Sequence, residues 1–145
     1  MKNLMRPLAV LCCAVMAFAL ISCDKDNEKM IVGTWDVQYQ TAVYEGEDST
    51  RIYPCEAGEI WYYGFNEDNT GYISHTYKPG YTDYMDFTYS VSDNILAITH
   101  PDYPVKGATT RTYTIHFLIE KMTKNELVLL MLNKHDLHRT YLKKR

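Results

Sequence analysis

Side chains that could bind a metal ion are present in this sequence, but they do not form a recognised ligand pattern. The histidines are His75, His100, His116, His135 and His138. His135 and His138 lie three residues apart, yet no cysteine pair and no His-Glu-x-x-His segment accompanies them, as a zinc site requires. We therefore interpret the histidines as surface residues, and the sequence predicts neither a metal nor a cofactor.

The segment from Asn66 to Gly71 imitates the start of a calcium-binding loop, with oxygen-bearing side chains at alternate positions. A loop of that kind needs a bidentate glutamate at its twelfth position, where this chain has Tyr77. Asparagine, aspartate and glycine also tolerate the positive φ angles of tight hairpins. The segment is therefore predicted to be a hairpin turn.

Residues that could catalyse a reaction are equally isolated. Cys55 lies in a turn-like segment and has no neighbouring histidine to lower the pKa of its thiol. Asp83 and Asp86 are close in sequence, but they are typical of solvated acids at a strand end rather than of a hydrolytic pair. The chain has no Gly-x-Ser-x-Gly elbow and no glycine-rich phosphate loop. We predict that the protein is not an enzyme.

The first residues have the composition of an export signal. Lys2 and Arg6 precede an apolar stretch over residues 8–22 that contains no charged side chain. A bilayer-spanning helix needs about 20 such residues, so this stretch is too short to be one. Its length and positive flank are those of a cleavable signal peptide.

The end of that stretch, Leu20-Ile21-Ser22-Cys23, resembles the lipobox of bacterial lipoproteins. The resemblance implies that residues 1–22 are removed as a signal peptide and that Cys23 is lipidated, which anchors the protein to a membrane. Residues 23–30 are charged and polar, and we expect a flexible tether. Acidic residues directly after the cysteine resemble the surface-export signal of Bacteroides-type lipoproteins, so we expect the outer membrane, with exposure at the cell surface. An ordinary signal peptide with an incidental cysteine is the alternative.

Composition limits the functions of the remaining chain. Without residues 1–22 it has 123 residues, 13 basic and 18 acidic, and a formal net charge of −5. This length suits one domain, over residues 31–145, with a sizeable hydrophobic core. A mildly acidic chain lacks the basic footprint of a nucleic-acid-binding protein, so we predict no nucleic-acid partner.

Hydrophobic residues in the domain recur with a period of two, which indicates strands. The predicted strands cover residues 34–43, 59–65, 72–77, 84–91, 95–99, 111–122, 127–132 and 138–143. Glu45–Gly58 and Pro101–Thr109 are predicted loops, and no convincing amphipathic helix is visible. Eight meandering antiparallel strands favour a closed up-and-down barrel, because closure removes exposed strand edges. A β-sandwich is the alternative fold.

Several segments resemble those of a known family. Gly33-Thr34-Trp35 opens the first strand, Phe65 precedes the turn that ends in Thr70-Gly71, and Arg139 lies in the last strand. Together they resemble the lipocalin-like lipoproteins of Bacteroides-type bacteria and the wider calycin barrels. The resemblance implies a lipocalin-like β-barrel in the cell envelope, but it carries no particular ligand.

Two sets of interior residues follow from the strand phases. Trp35 and Arg139 are predicted to point inward at the same end of the barrel, where a guanidinium stacked on the indole would form a structural plug. The inward aromatic residues that could line a ligand site are Tyr39, Trp61, Tyr63, Phe87, Tyr89 and Phe117.

The predicted function is that of a lipid-anchored binding module for a small apolar or amphipathic ligand at the open barrel end. An eight-stranded barrel has an interior just wide enough for side chains or one small ligand. The bulky inward aromatics keep a second hypothesis open, a structural or protein-interaction subunit of an envelope complex with a filled barrel. Thirteen tyrosines, several of them on loops or strand ends, also suit a binding rim, although tyrosine is common in strands.

Overall fold

The computed structural model describes residues 26–101, 111–132 and 135–145. The predicted signal peptide, Cys23 and the start of the predicted tether lie outside these ranges, as does most of the predicted loop Pro101–Thr109. The described strands are β1 (Gly33–Val43), β2 (Arg51–Pro54), β3 (Ile60–Phe65), β4 (Thr70–Lys78), β5 (Tyr81–Ser92), β6 (Ile95–Pro101), β7 (Thr112–Met122), β8 (Glu126–Met131) and β9 (Leu137–Lys144).

Eight of these strands form a closed antiparallel barrel, as predicted. Each strand from β3 to β8 pairs with the next along the chain, and β1 pairs with both β3 and β9. The closing pair is extensive, because eight residues of β1 lie opposite residues of β9 between Trp35–Lys144 and Val43–Leu137. This closure contradicts the alternative β-sandwich, since a sandwich would leave β1 and β9 unpaired with each other.

The short strand β2 was not predicted. It lies within Glu45–Gly58, and it pairs with the second half of β1, beyond the point where β3 stops pairing. All four of its residues are exposed. A four-residue strand without a buried face shows no hydrophobic alternation, so its sequence resembles a loop.

A β-bulge in β1 reverses the face of the residues that follow it. The pairing with β9 shifts register between Val37 and Tyr39, with Gln38 as the extra residue. Trp35 and Val37 are buried in the core, whereas Tyr39 is 37% exposed and stacks on Tyr141, with ring centroids 4.3 Å apart. The prediction that Tyr39 points inward is therefore wrong, because a one-residue insertion moves the later side chains to the opposite face.

The hydrophobic core lies toward the end of the barrel where β1 begins and β9 ends. Its largest fully buried side chains are Trp35, Phe65, Ile31, Leu96, Ile98, Leu127 and Leu129. The hairpin turns at this end contain Asn69, Asp93 and Asn94 with positive φ, as the predicted turn residues require. We call this the closed end of the barrel.

A short helix over residues 26–31 covers the closed end. Ile31 is fully buried, and its carbonyl oxygen accepts a 2.6 Å hydrogen bond from Trp35 Nε1. Part of the predicted flexible tether, residues 26–30, is thus helical, and no helix was expected there. Six residues are too few to show helical periodicity in the sequence. Within the described ranges, no helix has the length and apolar character needed to cross a membrane.

Candidate functional site

The two ends of the barrel differ in how their inner faces are filled. Near the closed end the inward side chains are buried, whereas toward the opposite end, which we call the open end, they are only partly buried. The partly buried inward residues there are Trp61, Ile73, His75, Met85, Ile115 and Met131. The inward side chains at the open end are thus less completely covered, and the mouth of a barrel is where a small ligand would bind.

Most of the predicted ligand-lining aromatics belong to the core instead. Tyr63, Phe87, Tyr89 and Phe117 point inward as predicted, but their exposed fractions are only 7%, 3%, 7% and 5%. Side chains that line a ligand-sized space would retain more accessible area. Burial raises the pKa of Tyr63 to about 12, which is the expected effect of removing a phenol from water. These four residues fill the closed half of the barrel.

Trp61 is the predicted ligand-lining residue that remains accessible from the open end. Its ring packs against the core and stacks on His75, with centroids 4.6 Å apart and ring planes 17° apart. Its indole Nε1 is buried and has no hydrogen-bond acceptor among the described residues. A buried N–H without an acceptor costs about 1–3 kcal/mol, so native structures rarely leave one unpaired.

His75 is fixed beside Trp61 by a carboxylate. Its Nε2 forms a short hydrogen bond with Glu59 Oε1, and Glu59 Oε2 accepts a 2.7 Å hydrogen bond from the backbone N–H of Glu56. That backbone hydrogen bond, together with the contact with His75, lowers the pKa of the Glu59 carboxyl against the opposing effect of burial. The pair gives the open end a polar wall next to the indole.

Cys55 lies near this wall but is poorly placed for chemistry. Its thiol contacts the core and donates a 3.3 Å hydrogen bond to the carbonyl oxygen of Val37. Burial, and then the negative charge of Glu59, raise the pKa of the thiol. Because the thiolate is the reactive form, this environment makes Cys55 a weak nucleophile.

The prediction that Arg139 stacks on Trp35 is wrong, because a different basic residue occupies that position. Arg139 points outward and pairs with Glu120 through hydrogen bonds of 2.7 and 2.9 Å. Lys144 takes the predicted place, since its Nζ lies 5.0 Å from the Trp35 ring centroid. The inward residues of β9 are Thr140, Leu142 and Lys144, and the odd-numbered residues face the other side.

The position of Lys144 also explains the glycine of Gly33-Thr34-Trp35. Gly33 has a φ of 128°, which side-chain-bearing residues rarely adopt, and a Cβ there would lie 2.8 Å from Lys144 Cε. The lysine stem therefore crosses Gly33 to reach the indole, and its Nζ donates a 3.2 Å hydrogen bond to the carbonyl oxygen of Met30. The Gly33-Thr34-Trp35 motif thus allows Lys144 to pack over the indole at the closed end.

The rim of the open end combines acidic and apolar side chains. Its described connections carry the carboxylates of Glu45, Glu47, Asp48, Glu56, Glu59 and Asp136. The basic side chains near them among the described residues are Arg51, which pairs with Glu47, and Lys78 and Arg111. Large apolar side chains that are 44–66% exposed surround the same end: Ile52, Tyr53, Ile60, Tyr77, Tyr81, Tyr113, Leu132 and Leu137.

The histidines do not converge on one point. His75 contacts Glu59, His135 contacts Glu45 at 3.0 Å, and His138 lies 3.7 Å from Asp136. Across residues 26–101, 111–132 and 135–145, no group of three or more His, Cys, Asp or Glu side chains is arranged to hold a metal ion.

Sequence reasoning missed His75, Glu59 and Lys144 as site or plug residues. His75 was interpreted as a surface residue, and the last predicted strand ended at residue 143, before Lys144. Alternation with Trp61 across the β3–β4 hairpin could have placed His75 on the inner face, since cross-strand partners share a face. Nothing in the local sequence marks Lys144 as inward, because β9 lacks a uniform apolar face.

Comparison with known proteins agrees with this architecture. A family model described as a lipocalin-like domain matches residues 31–129. A lipocalin-like protein from Bacteroides uniformis ATCC 8492 is 13% identical with a TM-score of 0.53, and the match covers 80% of this chain and 99% of that one. An uncharacterized protein from Bacteroides eggerthii DSM 20697 is 16% identical with a TM-score of 0.53, and the match covers 79% and 98% of the two chains. At such identities these structures support the fold alone. The search of curated proteins found no match.

Proposed function

Because the chain belongs to the lipocalin-like domain family, we propose that it is a binding protein that takes one small amphipathic ligand at the open end of its barrel. The family's eight-stranded barrels have room for a single small ligand when side chains do not fill them. In this chain the closed half is filled, so the ligand would occupy only the open half.

The observation that carries the proposal is the unpartnered indole N–H of Trp61. It is a buried hydrogen-bond donor on the inner face, and the neighbouring wall includes Ile73 and Met85. An amphipathic ligand could place an acceptor such as an ester or amide carbonyl against this N–H and its apolar part against that wall. The donor then regains the hydrogen bond that the described protein residues do not supply.

The acidic rim limits the charge of that ligand. The described connections at the open end carry more carboxylates than basic side chains, and Glu59 lies next to the Trp61–His75 stack. A negatively charged head group would be repelled there, while a neutral one would not. We therefore propose a ligand with a neutral polar head rather than a fatty-acid anion.

The test compares two lipids that differ in the head group, 1-lauroylglycerol and laurate, by titration calorimetry with the full-length chain. The neutral lipid should bind at least about tenfold more tightly, and Trp61→Phe should weaken its binding by about five- to tenfold. Tyr84→Ala, on the outer face, is the matched control and should leave the affinity unchanged. Equal binding of both lipids would contradict the charge argument, and no effect of Trp61→Phe would contradict the site.

The lipid anchor is a second part of the proposal. The lipobox at Leu20–Cys23 and the acidic residues after it support a lipoprotein of the outer membrane, with its barrel at the cell surface. Cys23→Ser should abolish the acyl mass and release the protein from membranes, as mass spectrometry and fractionation would show. Protease treatment of intact cells tests surface exposure, and complete protection of the barrel would contradict it.

A protein partner at the open end is the second candidate function. The exposed apolar rim favours it, because contiguous apolar surface often marks an interaction site. A photo-cross-linking residue at Tyr113 should then capture one defined envelope protein in cells, whereas the same residue at Tyr84 should not. Adducts that are the same at both positions would contradict this candidate.

A further inference from the structure

A second concave surface lies on the barrel wall and extends to the edge of the open end. It is a groove of about 710 Å³ over β4, β5 and β6. Its lining includes the outward-facing side chains of Thr70, Tyr72, Tyr84, Asp86, Thr88 and Thr99, and it extends to Phe87 and Thr112. The volume is within the range of small-molecule sites, which is about 300–1,000 Å³.

The groove exists because two neighbouring strands separate. β5 and β6 pair from Ser92–Ile95 to Thr88–Thr99, and the last described residues of β6, His100 and Pro101, are not paired with β5. The first half of β5 keeps its pairing with β4 down to Tyr81. The outward side chains of β4 and β5 therefore border a concave surface where the described part of β6 leaves β5.

One side of the groove is an aromatic platform formed by Tyr72 and Tyr84, which packs against the backbone at Gly64. The Tyr72 ring lies flat across Gly64, where a Cβ would come within 2.4 Å of the ring. Tyr84 stacks on Tyr72 with centroids 5.7 Å apart and planes 16° apart, and Tyr62 meets Tyr72 edge-on at 6.0 Å. Tyr84 is 55% exposed, so part of its ring remains free to contact a ligand.

The other side supplies hydrogen-bonding groups. Asp86 lies directly opposite Tyr72, and Thr70, Thr88 and Thr99 form a row in register across three strands. Desolvation, and then the neighbouring Asp86 carboxylate, raise the pKa of the Tyr84 hydroxyl. Carboxylate and hydroxyl oxygens thus lie beside an aromatic face.

From this arrangement we propose that the groove binds a neutral saccharide. A pyranose ring presents an apolar C–H face that fits against tyrosine, and adjacent hydroxyls that can donate to Asp86 and exchange hydrogen bonds with Thr88. The hydroxyls of Thr70 and Thr99 are already bonded to side chains of the protein. Tyrosine suits such a contact because it joins an apolar ring to a polar tip. A plain hydrocarbon chain fits less well than a sugar, because it offers no hydroxyl to Asp86 and Thr88. An anionic ligand is disfavoured by the Asp86 carboxylate.

The test is saturation-transfer-difference NMR of the full-length chain with neutral hexasaccharides of glucose, mannose, galactose and xylose. At least one should bind with a dissociation constant of about 1 mM or lower, and Tyr84→Ala should weaken binding about tenfold. Asp86→Asn should weaken it by a smaller factor, and Tyr84→Phe should do so as well, since the ring remains but the polar tip of the side chain is removed.

Tyr53→Ala is the matched control, because it removes an exposed tyrosine of β2, which pairs with β1 and does not line the groove, and it should not change saccharide binding. Absence of binding for all four sugars at about 10 mM would overturn the proposal. So would equal losses for Tyr84→Ala and Tyr53→Ala. Lipid binding at the open end is measured separately, so either site can fail while the other stands.

Discussion

The closed and open ends of this barrel contain similar residue types but use them differently. Each end has a tryptophan on the inner face. Trp35 is fully buried, donates its N–H to Ile31 and lies under Lys144, whereas Trp61 is half-buried with no acceptor for its N–H among the described residues. A satisfied indole serves packing, and an unsatisfied one indicates a place that a ligand can complete. Under the proposed function, the closed end provides stability and the open end provides binding.

The neighbouring polar groups follow the same division. At the closed end, helix 26–31 and the hairpin turns supply backbone acceptors for inward donors, as Met30 does for Lys144. At the open end, Glu59 and His75 pair with each other, and neither accepts a hydrogen bond from the Trp61 indole, which lies between them and the core. If the proposed ligand binds at the open end, stability and function compete little, because different halves of the same strands provide them.

The largest expected effect is a difference in unfolding free energy between variants of the two tryptophans. Trp35→Ala should destabilise the fold by about 3–5 kcal/mol, through lost burial and a cavity that cannot collapse. Trp61→Ala should cost less than half as much, because its side chain is only partly buried and its buried N–H is removed as well. Chemical denaturation of both variants measures the difference. Equal losses would show that the open end is packed as tightly as the closed end.

The second effect concerns alkaline pH and the core phenol of Tyr63. Its pKa in the folded state is about 12, above the ordinary value of 10.0, so folding favours the neutral form. The stabilising contribution is complete below pH 10 and is lost as pH rises toward 12, by about 2–3 kcal/mol. Tyr63→Phe should lack this loss. If the difference in unfolding free energy between wild type and Tyr63→Phe stayed constant from pH 9 to 12, the phenol would not be buried as described.

The third prediction tests the cation at the closed end. Lys144→Met should cost about 1–2 kcal/mol, because it removes the contact with Trp35 and the hydrogen bond to Met30. Lys143→Met is the matched control, since Lys143 is exposed and points to the other face, and it should be close to neutral. Thermal or denaturant unfolding measures the stability of both variants.

A double-mutant cycle tests directly whether Lys144 contacts Trp35. Lys144→Met combined with Trp35→Phe should be non-additive by about 0.5–2 kcal/mol, because the two residues share one contact. Arg139→Met combined with Trp35→Phe should be additive, because Arg139 pairs with Glu120 instead. Coupling between Arg139 and Trp35 would restore the plug that the sequence predicted.

The smallest effect is expected at Glu59. Its lowered pKa means that the ionised carboxylate is favoured by folding, so its contribution is present above the ordinary pKa of 4.5 and is lost as pH falls. Glu59→Gln should cost about 1 kcal/mol at pH 7 and almost nothing near pH 3. Glu56→Gln, with an exposed side chain, should be neutral at both values. A Glu59→Gln loss that did not shrink in acid would contradict the role of the carboxylate.

Several parts of the fold could be predicted from local sequence because local physics determines them. Period-two alternation identified the eight barrel strands, and the Asn- and Asp-containing turns adopt the positive φ angles that those residues tolerate. The alternation also placed Trp35, Tyr63 and Phe117 on the inner face. The bulge at Gln38 and the exposed strand β2 could not be predicted, since neither has a hydrophobic signature of its own.

The sequence by itself determined that the domain consists of antiparallel strands and which face of most strands is buried. It did not determine how deep each inward residue lies along the barrel axis, because alternation distinguishes only two faces. The pairing of β1 with β9 decided that depth, and it placed Lys144 opposite Trp35 and Arg139 on the outer face. It also decided that four predicted ligand residues are core while Trp61 stays accessible. Register and closure depend on contacts between residues far apart in the chain, so only the tertiary structure fixes them.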